Sequence, residues 1–391
     1  MSLPQVADLL IIFVIIVTQA VIGRLLFIDG KTRLSPRVFR FVFTILRVLW
    51  VCIAVDIAIG RPATIFHTRW IPASVRGTFA TIAMVWGFAS AISLCIYLVY
   101  RFVSHAGKAT FSPRRRALIH ATGVAAMAAP FALTGFGAIV GRTDFRVRES
   151  DLPIPDLHPD LEGLRIGQLS DLHVSPFLSV RDAARAVDMT NELKAHLIVY
   201  TGDLISEPGD PLDDAIRELA RLRAEGGVLG CLGNHEIYAR CESYVTREAA
   251  RRGITFLRGE ARQLRFGNGI LNVAGVDYER IGLRRHYLRG AENMIVPGAA
   301  NLLLSHNPDV FPVASQKGFG AVLSGHTHGG QVTVEILNQT LNLARFVTPY
   351  VAGLYRLDGK SCYVTAGVGT IGMPVRLGAP PEITLLRLRR A

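Results

Sequence analysis

Residues 323–331 read LSGHTHGGQ, which places two histidines one residue apart between glycines, directly after an apolar segment. A His-x-His pair alone is typical of a polar turn after a strand. It indicates a metal site only if other ligand-type residues follow other strands, because open α/β sheets bind ligands at the carboxyl ends of their strands. The rest of the chain therefore decides between a turn and a site.

Five successive apolar segments, each predicted as a strand, are followed by oxygen or nitrogen ligands. In the first, 164–169, the next residues read SDLH, and their Asp and His lie two apart, so an extended backbone directs both to one side. The complete set, in chain order, is Asp171 and His173, then Asp203, then Asn234 and His235, then His306, and finally His326 and His328.

This ordered set resembles the calcineurin-like metallophosphoesterases, whose pattern is D-x-H, G-D, G-N-H-[DE], H and G-H-x-H. The resemblance covers roughly residues 160–390, and every element is present. It implies an α/β fold over residues 164–391, a four-layer α-β-β-α sandwich with two sheets face to face. It also implies two divalent metal ions, such as manganese, iron or zinc, and hydrolysis of a phosphoester by a hydroxide held between them.

The resemblance also implies a role for each residue. One metal would be held by Asp171, His173, Asp203 and His328, and the second by Asp203, Asn234, His306 and His326. Asp203 would thus bridge the two ions and, with His235, form the catalytic pair. His235 would protonate the leaving group or bind phosphate, with Glu236 orienting its ring. Asn234 and Arg376 are the residues expected to contact the substrate.

Two further segments leave alternatives open. The stretch AGVGTIGMPVRLGAPPEITLLRL (366–388) resembles the closing segment of the membrane-anchored bacterial branch of this family. Its Arg376 could donate two hydrogen bonds to phosphate or could be a structural residue paired with Glu382. The basic stretch ERIGLRRHYLRG (279–290) reads as an amphipathic cap facing anionic headgroups or as a solvated surface helix.

The positive charge of the chain lies in its first part. The formal net charge is +12, yet residues 1–150 hold 17 Lys and Arg against 5 Asp and Glu, while the remainder is balanced. These basic residues alternate with long apolar runs, which is typical of the flanks of membrane spans rather than of a nucleic-acid-binding face. The five cysteines form no C-x-x-C pair, so neither a zinc knuckle nor a disulfide framework is indicated.

Four apolar runs are each long enough for the roughly 20 residues that a bilayer span requires. They predict a transmembrane domain over 1–142, with helices at about 6–28, 38–60, 78–103 and 117–140, and a linker and entry segment over 143–163. The links after the first and third runs are the most basic, so the positive-inside rule puts them in the cytoplasm. We therefore expect a multi-pass inner-membrane protein whose catalytic domain is periplasmic or extracellular.

The predicted function is hydrolysis of a phosphodiester or pyrophosphate on a phosphorylated lipid or envelope substrate, since four spans suit a substrate at the bilayer. No nucleic-acid partner is expected. One alternative is a UDP-2,3-diacylglucosamine pyrophosphatase of lipid A biosynthesis, whose substrate lies on the cytoplasmic side. Another is a membrane sensor or transporter with a non-catalytic ligand-binding domain.

Overall fold

The computed structural model describes residues 3–33, 35–59, 73–106, 112–283, 286–336 and 339–391. The chain divides into two compact units. One comprises Met1–Ile139 with Met373–Val375, and the other comprises Val140–Gly372 with Arg376–Ala391.

Within the described residues, the first unit contains four helices, which are α1 (Leu3–Arg33), α2 (Pro36–Ile59), α3 (Ala73–Ala106) and α4 (Pro113–Ile139). Three stretches are long and apolar enough to cross a membrane: Pro36–Asp56, Gly77–His105 and Pro113–Thr143. The described part of α1 contributes a shorter apolar stretch, Ile12–Leu25. Three of the four predicted spans are therefore long and apolar enough to cross a membrane, and the first remains a prediction.

A buried polar contact joins three of these helices. Gln19 of α1 donates from Nε2 to Ser90 Oγ of α3 at 2.7 Å. Its Oε1 accepts from the indole N–H of Trp86 at 2.8 Å and of Trp50 at 3.3 Å. In a bilayer the hydrophobic effect does not drive helices together, so side-chain hydrogen bonds of this kind help to hold apolar helices in contact.

The second unit is built from two six-stranded sheets and a hairpin. Its strands are β1 (Arg146–Ile154), β2 (Arg165–Leu169), β3 (Leu197–Thr201), β4 (Val228–Cys231), β5 (Ile254–Phe256), β6 (Glu260–Phe266), β7 (Gly269–Gly275), β8 (Ala300–Leu304), β9 (Ala321–Ser324), β10 (Thr333–Ile336), β11 (Gln339–Asn342), β12 (Gly353–Leu357), β13 (Lys360–Val364) and β14 (Glu382–Arg390). Its helices are α5 (Val180–Glu192), α6 (Leu212–Leu219), α7 (Asn234–Tyr238), α8 (Glu242–Ala250) and α9 (Phe311–Lys317).

The strand order is β1-β14-β2-β3-β4-β5 in one sheet and β12-β13-β9-β8-β7-β6 in the other, with β10 and β11 forming the hairpin. Strands β2 to β5 are parallel, as are β7, β8, β9 and β13. Buried parallel strands read as continuous apolar runs, which explains why the sequence predicted most of them.

Apolar side chains define the layers of this unit. Ile166 and Val199 of the first sheet share one buried cluster with Val273 and Leu302 of the second, so the two sheets face each other. The outer face of the first sheet packs against α5, α6 and α8. The outer face of the second packs against α9 and the turns around 287–291. The mixed α/β sheet architecture expected from the sequence is confirmed.

The structure differs from the sequence prediction in two segments. Arg146–Ile154, part of the predicted linker, forms β1, which pairs in parallel with β14 along its whole length. Its first residues are charged and exposed, so the apolar run that identifies a buried strand is missing. In the segment 279–290, Arg284 and Arg285 lie outside the described residues, His286 has 3₁₀ conformation, and the other described residues form turns or irregular backbone. Tyr287 and Leu288 are buried in the core, so they cannot form the expected apolar face toward headgroups.

Candidate metal centre

The predicted ligands follow the carboxyl ends of five parallel strands. Strands β2, β3 and β4 of the first sheet deliver Asp171 and His173, then Asp203, then Asn234. Strands β8 and β9 of the second sheet deliver His306, then His326 and His328. Parallel strands end at the same edge of a sheet, and the two sheets face each other, so all seven residues lie in one region.

The backbone at this edge is unusual. A positive φ is uncommon outside glycine, and Asp and His are among the residues that adopt it most readily. Five of the seven predicted ligands do so: Asp171 (53°), His173 (47°), Asp203 (60°), His326 (75°) and His328 (53°). Strain of this kind costs about 1–3 kcal/mol per residue and clusters at functional sites.

The first group of converging side chains is Asp171, His173 and His328. Nε2 of His328 lies 3.4 Å from Asp171 Oδ1 and 3.1 Å from Nε2 of His173. Two imidazole nitrogens this close need a proton or a cation between them, because two lone pairs would repel each other. Nδ1 of His173 contacts Ser206 Oγ at 3.2 Å.

The second group is Asp203, His306 and His326. Nδ1 of His306 lies 2.5 Å from the carbonyl oxygen of Thr201, and a carbonyl can only accept, so Nδ1 carries the proton. The lone pair of His306 is therefore on Nε2, which lies 3.0 Å from Asp203 Oδ2.

Asp203 lies between the two groups. Its Oδ2 is 3.0 Å from Nε2 of His306 and 3.5 Å from Nε2 of His173. Its Oδ1 accepts a hydrogen bond from the backbone N–H of His235 at 2.9 Å. One carboxylate oxygen is thus held by the backbone while the other faces ligands of both groups.

These residues fit divalent metal ions. In the part of the chain that the structure describes, Nε2 of His306 and Oδ1 of Asn234 are buried without an acceptable hydrogen-bond partner, despite the short distance from His306 to Asp203. Buried polar atoms are rarely left unpaired, and both atoms belong to predicted ligands. A donor set of two carboxylates, four imidazoles and one amide suits several divalent metals and does not select one of them.

The pKa values show how the side chains of the site share their charge. Burial favours neutral His306, but Asp203 and Asp171 outweigh it and raise its pKa to about 10. Burial also opposes ionisation of Asp203, yet neighbouring histidines hold its pKa well below the usual range. Burial and the nearby His306 lower the pKa of His326 to about 3. Without a metal, a proton on His306 therefore balances the charge of Asp203.

Comparison with known proteins agrees with this geometry. The calcineurin-like phosphoesterase family model matches residues 164–330. An uncharacterized metallophosphoesterase of Aquifex aeolicus is 31% identical to this chain, and the alignment covers 58% of this chain and 85% of the relative. The chain belongs to the calcineurin-like phosphoesterases.

Two further relatives extend the comparison. The transmembrane protein with metallophosphoesterase domain of Danio rerio is 29% identical over 66% of this chain. The metallophosphoesterase YkuE of Bacillus subtilis is 27% identical over 64% of this chain and 86% of its own length. The chain spans 61% of the length of the Danio rerio relative. The chain therefore carries a metallophosphoesterase domain, of a family of hydrolases that use divalent metals.

Glu236 does not orient His235 in this phosphoesterase, contrary to the sequence prediction. Its buried carboxylate accepts from the backbone N–H groups of Asp203 (3.1 Å), Leu204 (2.6 Å) and Gly233 (2.7 Å). Glu236 therefore ties the loop after β3 to the loop after β4. The ring of His235 is held instead by the carbonyl oxygen of Ser206, 2.6 Å from Nδ1.

Arg376 matches neither of the alternatives considered for it. It is only 1% exposed, so a phosphate cannot reach it as the substrate-binding prediction requires. Its guanidinium donates to backbone carbonyls, among them those of Ala366 (2.9 Å) and His328 (3.2 Å), and not to Glu382. Burial lowers its pKa to about 10, so it remains protonated at neutral pH. Arg376 is a structural residue that holds the loops around His328.

Tyr278 and Ser206 also contact the site, although no sequence motif indicated them. The ring of Tyr278 lies 5.2 Å from that of His326 and 5.9 Å from that of His306, and burial raises its pKa to about 12. It follows β7, a further parallel strand, so applying the strand-end rule to that strand would have found it. Ser206 contacts the rings of both His173 and His235, and no local pattern in the sequence marks it.

Proposed function

We propose that the protein is a dinuclear metallophosphoesterase that hydrolyses a phosphodiester or pyrophosphate of a lipid-linked or envelope substrate. The observation that carries the proposal is the position of Asp203, whose Oδ2 faces His173 on one side and His306 on the other. A bridging carboxylate between two sets of buried nitrogens is what a two-metal site needs.

In this proposal, Asp171, His173 and His328 hold one ion with Asp203, and Asn234, His306 and His326 complete the site of the other. When bound, the metal pair supplies the nucleophilic hydroxide and stabilises negative charge on the phosphoryl oxygens. Backbone groups that hydrogen-bond to the ligand side chains fix the orientations of those side chains. The carbonyl of Thr201 sets the tautomer of His306, and backbone N–H groups position both aspartates.

His235 acts as the proton donor to the leaving group. Its Nδ1 faces the carbonyl oxygen of Ser206 at 2.6 Å, and a carbonyl can only accept, so Nδ1 carries a proton. Nε2 is then the atom that can hold and deliver a proton. The side chain is half-buried, unlike Asp171, His173 and His306, so a substrate oxygen can reach it.

The membrane helices support the substrate class in this proposal. Three stretches of the first unit can cross a bilayer, and helix α1, with 31 residues, is about 46 Å long, more than a span of ~30 Å requires. We include α1 as a fourth span. A hydrolase carried by such a domain meets substrates in or at the bilayer, which favours a lipid-linked diester or pyrophosphate over a soluble monoester.

Activity and metal content test this proposal together. The full-length protein, purified in a neutral detergent, is loaded with manganese, iron or zinc and assayed on bis(p-nitrophenyl) phosphate, p-nitrophenyl phosphate and a polyprenyl pyrophosphate. We expect two metals per chain and turnover of the diester or the pyrophosphate. One metal per chain at full activity would refute the dinuclear assignment, and turnover of the monoester alone would refute the substrate class.

Topology is tested separately. The basic first and third links favour a multi-pass inner-membrane protein with the catalytic domain outside the cytoplasm. In cells with a permeabilised outer envelope, protease should then digest the part beyond residue 150. Protection until the inner membrane is broken would reverse the orientation and favour a cytoplasmic nucleotide-lipid substrate.

A further inference from the structure

A cavity of about 330 Å³ lies in the second unit. In the described part of the chain, none of the predicted metal ligands lines it, although Gly329, the residue after His328, does. Three arginines contribute to its wall: Arg146 and Arg148 at the start of β1, and Arg345 in the turn after β11. A cavity with this many cationic groups is suited to an anion.

The pairing of these arginines shows which of them are available. Arg146 donates from Nε and Nη2 to Asp144 at 2.9 and 2.6 Å, so its charge is balanced. The nearest acid to Arg148 is Glu382, at 3.9 Å, which is beyond hydrogen-bond distance. Among the described residues, Arg345 has no ion pair or hydrogen bond from its side chain. Arg148 and Arg345 therefore have donors to spare.

Glu382 also forms part of the cavity wall, but it does not neutralise the positive charge of Arg148 and Arg345. It is 5% exposed, and its Oε1 accepts from the hydroxyls of Tyr363 at 2.7 Å and Thr384 at 2.8 Å. The side chains of Arg148 and Arg345, by contrast, are exposed. We therefore place an anion between these two arginines and not at the buried carboxylate.

An apolar tip adjoins the cavity. Phe346 is 88% exposed and Val347 is 63% exposed, and they are the two residues that follow Arg345. Phe346 is more exposed than the described large apolar residues of the membrane helices, of which Ile139 reaches 76%. A phenylalanine ring left in water loses the favourable free energy of burial, so an exposed apolar tip indicates an apolar partner.

The tip is held by ordered contacts on both sides. Before it, Asn342 is buried, donates to the carbonyl of Gly329 at 2.8 Å and accepts from the N–H of Ala344 at 2.8 Å. After it, buried Thr348 donates from its hydroxyl to Asp309. The exposure of Phe346 is thus built into the fold rather than the result of a loose segment.

We propose that this cavity binds an anionic phospholipid. The phosphate lies between Arg148 and Arg345, and Phe346 and Val347 contact the acyl chains. The adjacent apolar tip favours a lipid over a free phosphate, and the same chain contains three stretches that can cross a bilayer, so a phospholipid is an available ligand. The site depends on membrane association and not on the substrate proposed above.

The test uses the full chain in dodecyl maltoside and three probes: dihexanoyl phosphatidylglycerol, dihexanoyl phosphatidylcholine and inorganic phosphate. Binding is measured by titration calorimetry. We expect phosphatidylglycerol to bind most tightly. The double variant R148Q/R345Q should weaken it by about 10- to 100-fold, since each guanidinium makes a charge-assisted hydrogen bond. Phe346→Ser should weaken the lipid but not inorganic phosphate.

Matched controls are Arg265→Gln on the exposed strand β6 and Leu283→Ser, whose side chain is 51% exposed. Both should bind as the wild type does, and all variants should hydrolyse a water-soluble diester at the wild-type rate. Equal binding of the two lipids, or an unaffected double variant, would overturn the proposal. Inorganic phosphate binding as tightly as phosphatidylglycerol would make this a free-anion site instead.

A photo-crosslinking phenylalanine analogue at position 346, used in whole membranes, tests the partner directly. Crosslinks to lipid support the proposal. Crosslinks to protein alone would replace the lipid with a protein partner.

Discussion

Gly325, which precedes His326, gives the sharpest test of the metal centre. A Cβ added at this position would lie 2.2 Å from Asp171 Oδ2 and 2.2 Å from Ser170 Oγ. Ordinary contacts of a Cβ begin at 3.4 Å, so Gly325→Ala forces these atoms to move by about 1.2 Å. The backbone of Gly325 does not require glycine, because its φ is not in the left-handed region.

The displaced group is a predicted ligand. Asp171 accepts from the N–H of His326 at 3.0 and 3.2 Å, and a shift of this size breaks those hydrogen bonds. Misplacing a catalytic group by ~1 Å can cost on the order of 100-fold in rate. We therefore expect Gly325→Ala to lower kcat about 100-fold and to reduce metal content at the site of Asp171, His173 and His328.

The assay measures kcat on a soluble diester, metal content by mass spectrometry, and the thermal midpoint. The matched control is Gly135→Ala in helix α4, because a Cβ at Gly135 meets no atom outside its own stretch of helix within 4 Å, and it should leave kcat and metal content unchanged. The reasoning would be refuted if Gly325→Ala kept full metal content and an activity within about threefold of the wild type. Asp171 would then tolerate a displacement that a fixed ligand cannot.

The remaining predictions concern charge and protonation. Asp203→Asn should lose most activity and lower occupancy at both metals, because a neutral amide cannot bridge as a carboxylate does. The control Asp188→Asn, at an exposed position, should keep both activity and metal content. Full metal content with normal turnover in Asp203→Asn would contradict a bridging role for Asp203. His235→Ala should keep both metals yet slow hydrolysis by about 10²–10⁴, with a smaller loss for a nitrophenolate leaving group; loss of metal would make it a ligand. Since the pKa of His306 is raised to about 10 and a metal needs its neutral ring, metal affinity should rise as pH increases from 6 to 9, by up to about tenfold per unit. Chelator competition at several pH values checks this, and a flat profile would exclude a proton on His306.

The sequence predicted the strands that carry the ligands because those strands are buried and parallel. The predicted runs 164–169, 197–201 and 301–305 correspond to β2, β3 and β8 within one residue at either end. Such strands have apolar residues on both faces, so their limits are clear in the sequence. The ligands that follow these strands were easy to locate for the same reason, because each apolar run stops where the polar residues begin.

Edge strands and supporting side chains were harder to predict. β1 and β6 begin with charged, exposed residues, so neither resembles a strand of the core. The partners of Glu236 and Arg376 are mainly backbone groups, and these include groups 32 and 48 positions away in the chain. A backbone N–H or carbonyl has no residue type, so no sequence pattern could indicate these contacts.

Glu236 and Arg376 have a common physical role that the sequence alone could not reveal. Asp203 and His328 both adopt a positive φ, which costs each about 1–3 kcal/mol unless the surroundings hold it. Glu236 accepts from the N–H of Asp203, and Arg376 donates to the carbonyl of His328, so each charged side chain fixes the backbone of a strained ligand. Both are almost fully buried, where a charge with incomplete hydrogen bonding would be strongly unfavourable. The structure therefore couples the two requirements, because the buried charges are satisfied only when the ligand loops take the conformation in which the metal-binding atoms converge.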